Sequence, residues 1–574
     1  MQPRKRTTVC AVLAAVVLLG AMGPVGASDD GLVRLHLMWT NDIHGHIAPE
    51  AARFMNPAFP PPLGGGASMM NYVEEVRAKA AAAGEPVLLL DAGDTFQGTP
   101  VGTKTKGDAV VEFFNTIRFD AIVPGNHDFD MGRDNCERLA RATDAPWICA
   151  NIIEESTGEI VDWCEPTITF EKGGLKIGIV GICTPATVHM AFPDNIRGLV
   201  FEPMAPTIER WRDELRADGC DLVGLLIHEG LPYDPDEGWK RIVSSQEEAE
   251  DTQSDAGGGY GYVQSGTMNL MELVNAVSGI DFAVGGHTHR GYQEPWIDPM
   301  NHTLCFESYG NGSSIGHAIL KIDPVAGMIV GYDKPHDRGT LITLFEDELC
   351  PHETMTEALK PYIEMTEAEM GRVIGPSAVH LTRGGPNSVM GNLVTDAMRT
   401  HFDADFSFQN LGGLRADVPQ GNITARDVFG VLPFGNELVI VTMKGEMIRQ
   451  IVERKVRGNS GGLCTSGLTV AFDRGRPDYD RCCTLLVGGE PLDPEKEYRV
   501  VCTSFLMEGN SGLDILTTIP ASKIELTQIT TAEALEAYVV KNSPIRPKVD
   551  DRWVETSGAE QAGYLCIPVA GGDD

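Results

Sequence analysis

Through residues 32–333, short apolar runs alternate with longer stretches in which apolar residues recur at helical spacing. The runs 33–39, 87–90, 119–123, 222–227 and 282–284 are brief and mostly apolar, the pattern of buried strands. Residues 68–82 and 206–217, lying between such runs, carry the helical period. Alternation of this kind predicts an α/β layered domain. Residues 353–370 are polar and helix-like but interrupted by Pro361, which marks them as the connection between two domains. Beyond them 390–402 is expected to be helical, with strands at 438–443, 468–472, 498–503 and 523–526. The segment 233–264 is acidic and Gly-rich and reads as a surface excursion, a tolerated insertion or, as the alternative, a lid. No fixed-period repeat is present. The division that follows is a first domain over 32–345, a linker helix over 346–371, a second domain over 372–552 and a tail over 553–574.

The amino terminus breaks this pattern. Arg4, Lys5 and Arg6 precede an apolar run over 9–19, and Val25, Gly26 and Ala27 form a small-residue cleavage site, so 1–27 reads as a secretory signal peptide. That run is short for a bilayer span, and no later segment has the length and apolarity of one. The expected destination is therefore the periplasm or the exterior, without a stable membrane span. A length of 574 residues exceeds what one core can organise. The net charge of −35 repels a nucleic-acid backbone and disfavours long DNA or RNA as a partner. A small anionic substrate would need a locally positive site, which metal ions and a few arginines supply. Of the 13 cysteines only Cys10 lies in the leader, and the remaining even number permits disulfides in an exported chain. The local candidates are pairings among Cys136, Cys149 and Cys164, and of Cys464 with Cys482 or Cys483. Cys183, Cys220 and Cys502 sit in strand-like runs and read equally as buried thiols.

The chemistry lies just past the five apolar runs. There the chain reads Asp42-Ile43-His44, Gly93-Asp94, Gly125-Asn126-His127-Asp128, His228 and Gly286-His287-Thr288-His289. Ligands of an open α/β sheet bind beyond the carboxyl ends of its strands, so these pieces can converge. One His or Asp after a strand is ordinarily a solvated polar residue; five such pieces in order supply carboxylate, imidazole and amide for two metal ions sharing a carboxylate. Asp42, His44, Asp94 and His289 suit one ion, and Asp94, Asn126, His228 and His287 the other. Mixed nitrogen and oxygen donors favour Zn, Mn, Fe or Co over Ca or Mg alone. Paired ions of this kind activate water and clamp the oxygens of an in-line displacement. His127 is not needed as a ligand. It is placed to stabilise charge developing on a phosphoryl group or to protonate a leaving oxygen, with Asp130 fixing its orientation. His36, His46 and His317 lack such a context and read as ordinary core or surface histidines.

These motifs resemble the calcineurin-like metallophosphoesterases, and Gly125-Asn126-His127-Asp128-Phe129-Asp130 resembles the secreted 5'-nucleotidase branch. The likeness continues through Gly64-Gly65-Gly66-Ala67, Phe408-Gln409-Asn410-Leu411-Gly412-Gly413-Leu414-Arg415, Leu432-Pro433-Phe434-Gly435-Asn436 and Met390-Gly391-Asn392-Leu393. It implies an α/β fold: a two-layer metallophosphoesterase β-sandwich flanked by helices, followed by a second α/β substrate-binding domain that rotates about the linker helix. It further implies two divalent ions on the donors above and a catalytic dyad of His127 and Asp130. Arg383 and Arg415 would contact phosphate, Asn410 the nucleoside, and Phe434 and Phe505 the two faces of the base. His289 is a partial departure, since relatives often carry an amide there. In Glu508-Gly509-Asn510-Ser511-Gly512-Leu513, Ser511 stands where the family run carries an Asp for the ribose hydroxyls. A neutral hydroxyl binds ribose more weakly than a carboxylate. The implied activity is hydrolysis of nucleotide phosphomonoesters to nucleoside and phosphate. The alternatives within the fold are a nucleotide-sugar diphosphatase and a 2',3'-cyclic nucleotide phosphodiesterase. A non-catalytic surface binding protein would be marked by lost ligands, and none is lost.

Overall fold

The computed structural model describes residues 30–52, 55–56, 59–232, 234–236, 238–240, 242–244, 268–457, 462–507, 509–547 and 549–556. The expected leader, most of the 233–264 insertion and most of the tail lie outside the described residues.

The strand Val33–Thr40 runs parallel to Val87–Asp91 on one side and antiparallel to Ser314–Asp323 on the other. It is the inner member of one six-stranded sheet. In the second six-stranded sheet, Leu222–His228 lies between Leu175–Cys183 and Phe282–Val284, all three parallel. Alternate residues of the first strand, Leu35, Leu37 and Trp39, share one core with Ile177, Ile179, Leu226 and Phe282 of the other sheet. Met38, at the opposite phase, joins the helical layer outside. The period of two thus stacks the sheets face to face and leaves each outer face for helices. Gly65–Ala83 and Asp108–Ile117 cover the first sheet, and Met204–Ala217 and Leu270–Ala276 the second. Helix ends follow local chemistry: Gly84 at φ 72° stops the first helix, and Asn269 with Glu272 forms a capping box at Leu270–Ala276.

Only Ala121–Ile122 of the run 119–123 is strand. Phe119 instead packs edge-on against Phe114, with ring centroids 4.9 Å apart, so its burial comes from the helical layer and not from sheet pairing. The segment 353–370 is one unbroken helix, Glu353–Met370, with Pro361 inside it, and not the interrupted stretch expected. The missing hydrogen bond is offset by packing at both ends. Met355 and Leu359 belong to the core of the first domain, and Met370 to that of the second. Lys104 pairs with Glu369 at 3.1 Å, and Arg426 pairs with Glu367, so each domain also grips this helix by an ion pair.

In the second domain a five-stranded sheet runs Cys464–Ser466, Phe406–Gln409, Glu497–Thr503, Glu437–Lys444, Ile524–Thr530 in spatial order. Val389–His401 and Thr531–Asn542 cover one face. Gly445–Val456 and a four-stranded sheet containing Leu468–Phe472 cover the other. The disulfides proposed from spacing do not form. Cys136, Cys149, Cys164, Cys464 and Cys482 are buried thiols. Cys464 pairs through its main chain with Gln409 in the five-stranded sheet, whereas Cys482 pairs with Phe472 in the four-stranded one, so the proximity in sequence was misleading. Cys183, Cys220 and Cys502 are likewise buried thiols. No helix among the described residues is long and apolar enough to cross a membrane.

Candidate metal centre and active site

The parallel strands of both sheets end on the same side, and the donors follow at once. Asp42 and His44 come after Thr40, Asp94 after Asp91, His287 and His289 after Val284, and His228 ends its own strand. The turns that carry them are unusual: Asp42, His44, Asp94, His287 and His289 have φ of 50°, 49°, 57°, 73° and 55°. Left-handed conformations cost roughly 1–3 kcal/mol each for residues with a side chain, and they persist where the surroundings over-determine them. Five at one site mark loops built to aim side chains.

Two groups of donor atoms result, Asp42 with His44 and His289, and Asp94 with His228 and His287; within each group the atoms lie within 4.8 Å of one another. Asp94 faces both: its Oδ2 is 3.2 Å from His228 Nε2 and 3.7 Å from His44 Nε2. Asn126 Oδ1 lies 3.2 Å from His228 Nε2, and His289 Nε2 is 3.1 Å from His44 Nε2. The donors are held from behind. His44 Nδ1–H donates to Gln97 O and His228 Nδ1–H to Ala92 O, both at 2.7 Å, which leaves each Nε2 lone pair aimed inward. Asp42 Oδ2 accepts from Asn41 Nδ2 and His287 N, both at 2.8 Å, while buried Asp42 Oδ1 has no hydrogen-bond donor. A buried carboxylate oxygen without a donor, facing imidazole nitrogens, fits a cation. The donor set therefore suits two divalent ions.

Electrostatics agree with that reading. Burial would raise the Asp42 carboxyl, but His289 and His228 outweigh it and hold it below its ordinary range. Asp94 is likewise held well below by His228 and His127 against the effect of burial. Burial pushes His44 down to about 3 and His287 down to about 4, so both are neutral donors at pH 7. Burial opposes charge on His228, yet Asp94 raises it to about 10, so a cation bound beside Asp94 would take the place of the proton on His228 Nε2.

Residues with no role assigned from the sequence hold the loops together. Asp128, two residues after Asn126 in the sequence, accepts from Asp94 N, Thr95 N, Thr95 Oγ1 and Gly125 N at 2.6–3.1 Å. It locks the Asp94 turn to the Asn126 turn. Burial, then Asp94, raises its carboxyl to about 6. A Cβ at Gly125 would lie 2.2 Å from Asp94 Oδ1, so only glycine allows this approach. Buried Glu307 accepts from Leu231 N and Arg290 N, and from the hydroxyl of Thr288 between His287 and His289. Nothing in the local pattern around Glu307 announces that role.

His127 Nδ1 bonds Asp130 Oδ2 at 2.8 Å, and its main-chain N–H donates to Asp94 Oδ1 at 2.7 Å. Burial would lower the imidazole, but Asp130 and Asp94 outweigh it and raise it to about 9. Burial raises Asp130 despite His127. Both residues line a cavity of about 490 Å³ whose other wall belongs to the second domain. Asp94, Asn126, His287 and His289 open onto it from the first domain; Asn410, Arg415, Phe434, Phe505 and Ser511 do so from the second. The Phe434 ring stacks on His127 with centroids 5.8 Å apart, and the Arg415 guanidinium lies 5.4 Å from its centroid. Burial, then Arg383, lowers Arg415. Arg383 itself is not on the cavity wall. It is half-exposed, donates from Nη1 to Leu414 O at 3.3 Å and sits 3.8 Å from Asp417. Met190 and Phe192 reach the cavity from the first domain, and no sequence signal pointed to them. His36 and His317 are core residues, in a buried chain from Glu85 through both rings to Tyr72 with links of 2.8–2.9 Å. His46 pairs with Glu50 at 3.0 Å.

Comparison with known proteins agrees with this architecture. Residues 35–291 match the family model for calcineurin-like phosphoesterases, and residues 371–518 match that for the C-terminal domain of 5'-nucleotidases. The chain is 26% identical to a 5'-nucleotidase of Rattus norvegicus, over 96% of this chain and 95% of the relative. It is 24% identical to protein UshA of Yersinia enterocolitica, over 94% of this chain and 96% of the relative. Its fold is similar to the crystal structure of a 5'-nucleotidase precursor from Thermus thermophilus, with a TM-score of 0.73 and 26% identity, covering 91% of this chain and 99% of that one. A calcineurin-like phosphoesterase domain with two clusters of metal donors, joined by one helix to a 5'-nucleotidase C-terminal domain that faces it, makes this chain a member of the 5'-nucleotidase family.

Proposed function

We propose that this protein hydrolyses nucleotide 5'-phosphomonoesters to nucleoside and inorganic phosphate, and that it does so after export. The observation that carries the substrate class is the shared cavity. One wall offers metal donors and His127, and the facing wall offers a guanidinium, three carboxamides and two aromatic rings. The residue set suits a phosphate on the first side and a flat base with its sugar on the second. Its class, a metal-dependent phosphoric ester hydrolase, follows from the calcineurin-like phosphoesterase domain and its donor set.

Two divalent ions on Asp42, His44, Asp94, Asn126, His228, His287 and His289 would supply activation of water and neutralisation of charge on the phosphoryl oxygens. The chain's own groups act around them. Arg415 binds the phosphate bidentately and, lying over Phe434, ties the phosphate end of the substrate to the base end. Phe434 and Phe505 receive the base, and Asn410 and Ser511 address the nucleoside. Arg383 reinforces the positive potential beside Arg415 from outside the cavity. Asp130 orients His127 through Nδ1 and stabilises positive charge on the ring, which leaves Nε2 for the phosphoryl oxygens or for the departing nucleoside oxygen. Burial of Asp42, Asp94, Asn126 and His228 keeps these donors from bulk water and strengthens their electrostatic contacts.

The reading is tested by phosphate release from metal-loaded protein with nucleoside monophosphates, a nucleotide sugar, a 2',3'-cyclic nucleotide and glycerol phosphate. We expect the highest kcat/KM with a nucleoside monophosphate and loss of all activity on chelation. Preference for the sugar conjugate or the cyclic ester would move the assignment to that class, and equal rates with glycerol phosphate would remove the nucleotide site.

A further inference from the structure

Gln97 touches both halves of the site while belonging to neither the metal donors nor the wall of the 490 Å³ cavity. Its main-chain carbonyl accepts the Nδ1–H of His44 at 2.7 Å, and its side-chain Nε2 donates to Pro433 O, across the domain boundary, at 3.1 Å. The residue is 3% exposed with the domains docked, and it borders a second cavity of about 560 Å³ between them. Pro433 immediately precedes Phe434, the ring stacked on His127 and overlaid by Arg415. The loop bearing Gln97 is itself rigid. Phe96 is fully buried in the first-domain core, and Gly98, at φ 145°, packs so closely that a Cβ there would lie 2.8 Å from that of His44.

We propose that Gln97 is a positioning residue that couples the two domains. Its carboxamide holds the Pro433–Phe434 turn against the catalytic domain, so the aromatic wall keeps a set distance from His127 and the metal donors. Main chain and side chain have separate roles here. The carbonyl orients His44 whatever the side chain is, and the amide senses whether the second domain is docked. The proposal rests on the nucleotide reading only for what Phe434 touches.

Gln97→Met keeps the length and bulk of the side chain but removes the donor, and Gln97→Ala removes both. Each is compared with wild type, metal-loaded, for metal content, for kinetics with a nucleoside monophosphate and with glycerol phosphate, and by small-angle X-ray scattering without substrate. Metal content should match wild type, because the acceptor for His44 is main chain. KM for the nucleoside monophosphate should rise about 5- to 10-fold, the scale of one net hydrogen bond, with a clearly smaller change for glycerol phosphate, which has no ring for Phe434. The radius of gyration should increase in both variants as the domains part. Unchanged scattering and unchanged KM overturn the coupling, and so does metal loss in proportion to lost activity, which would make Gln97 a loop-stability residue only. If wild type ignores nucleotides but the scattering still changes, the coupling stands and the substrate reading falls. If nucleotides are cleaved and neither scattering nor KM responds, the reverse holds.

Discussion

Asp94 and His127 open onto the same cavity, yet their removal should have different consequences. Asp94 presents one oxygen to both donor groups, so Asp94→Ala is expected to lower bound metal and abolish turnover together. His127 donates only its main-chain N–H to that carboxylate, and its ring is tied to Asp130. His127→Ala should therefore retain metal and lose kcat by about 10²–10⁴-fold with little change in KM, because its ring acts on charge that develops in the transition state. Metal analysis beside steady-state kinetics checks the pair of outcomes. Metal loss in His127→Ala, with kcat per bound metal unchanged, would make His127 a ligand or a structural residue.

Between elements, the contact of the first sheet with its covering helix carries a titratable term of its own. His317, on Ser314–Asp323, accepts from Tyr72 Oη, on Gly65–Ala83, through Nδ1, and its Nε2 meets His36 Nδ1 on the neighbouring strand. If His36 Nε2–H donates to Glu85, every link from Tyr72 to Glu85 is satisfied with both rings neutral. Burial, then the neighbouring His36, pushes His317 down to about 3. A histidine whose folded pKa lies below its unfolded value of about 6.5 contributes stability that is complete above pH 6.5. That contribution is lost progressively as pH falls from 6.5 towards 3, and at pH 5 the loss is about 2 kcal/mol. His317→Gln, neutral at every pH, should flatten the fall of unfolding free energy between pH 6.5 and 5 measured in urea. An identical slope in the variant would remove His317 as the source.

At the scale of the whole molecule, the metal donors and the aromatic wall belong to different domains, so the chemistry depends on how the domains face each other. The second cavity of about 560 Å³, also lined by Phe434, lies between Asp194 and Asn195 of the first domain and Gly435 and Glu437 of the second. The helix Glu353–Met370, rooted in both cores, is the element about which they can separate. Cysteines placed at Asp194 and Gly435 and joined by a reducible, thiol-reactive cross-linker should hold the domains as they are here. Steady-state turnover is expected to stop while metal stays bound, and reduction should restore it, since product release needs the cleft to open. Full turnover with the bridge verified by mass spectrometry would show that no domain movement is required.

Periodicity and residue type alone were enough for the strands Val87–Asp91 and Leu222–His228, because a strand buried on both faces leaves a continuous apolar run whatever it packs against, and for Val33–Thr40, whose apolar residues alternate with Arg34 and His36 before Met38 and Trp39. The same holds for the convergence of Asp42, Asp94, Asn126, His228 and His287, since parallel strands deliver their following loops to one side of a sheet. The sequence also placed the helix Glu353–Met370, although it misjudged Pro361, whose tolerance depends on cores at either end of the helix that local propensity does not contain. Which cysteines meet, where Arg383 points, and that Gln97, Glu307, Met190 and Phe192 border the site were decided by tertiary structure. Each depends on contacts between segments far apart in the chain, and pairing across such distances leaves no period in the residues that make it. Left-handed φ at five metal donors belongs to the same class: Asp and His tolerate it better than most side chains, but residue type does not dictate it, and the network of Asn41, Gln97, Asp128 and their neighbours holds it in place.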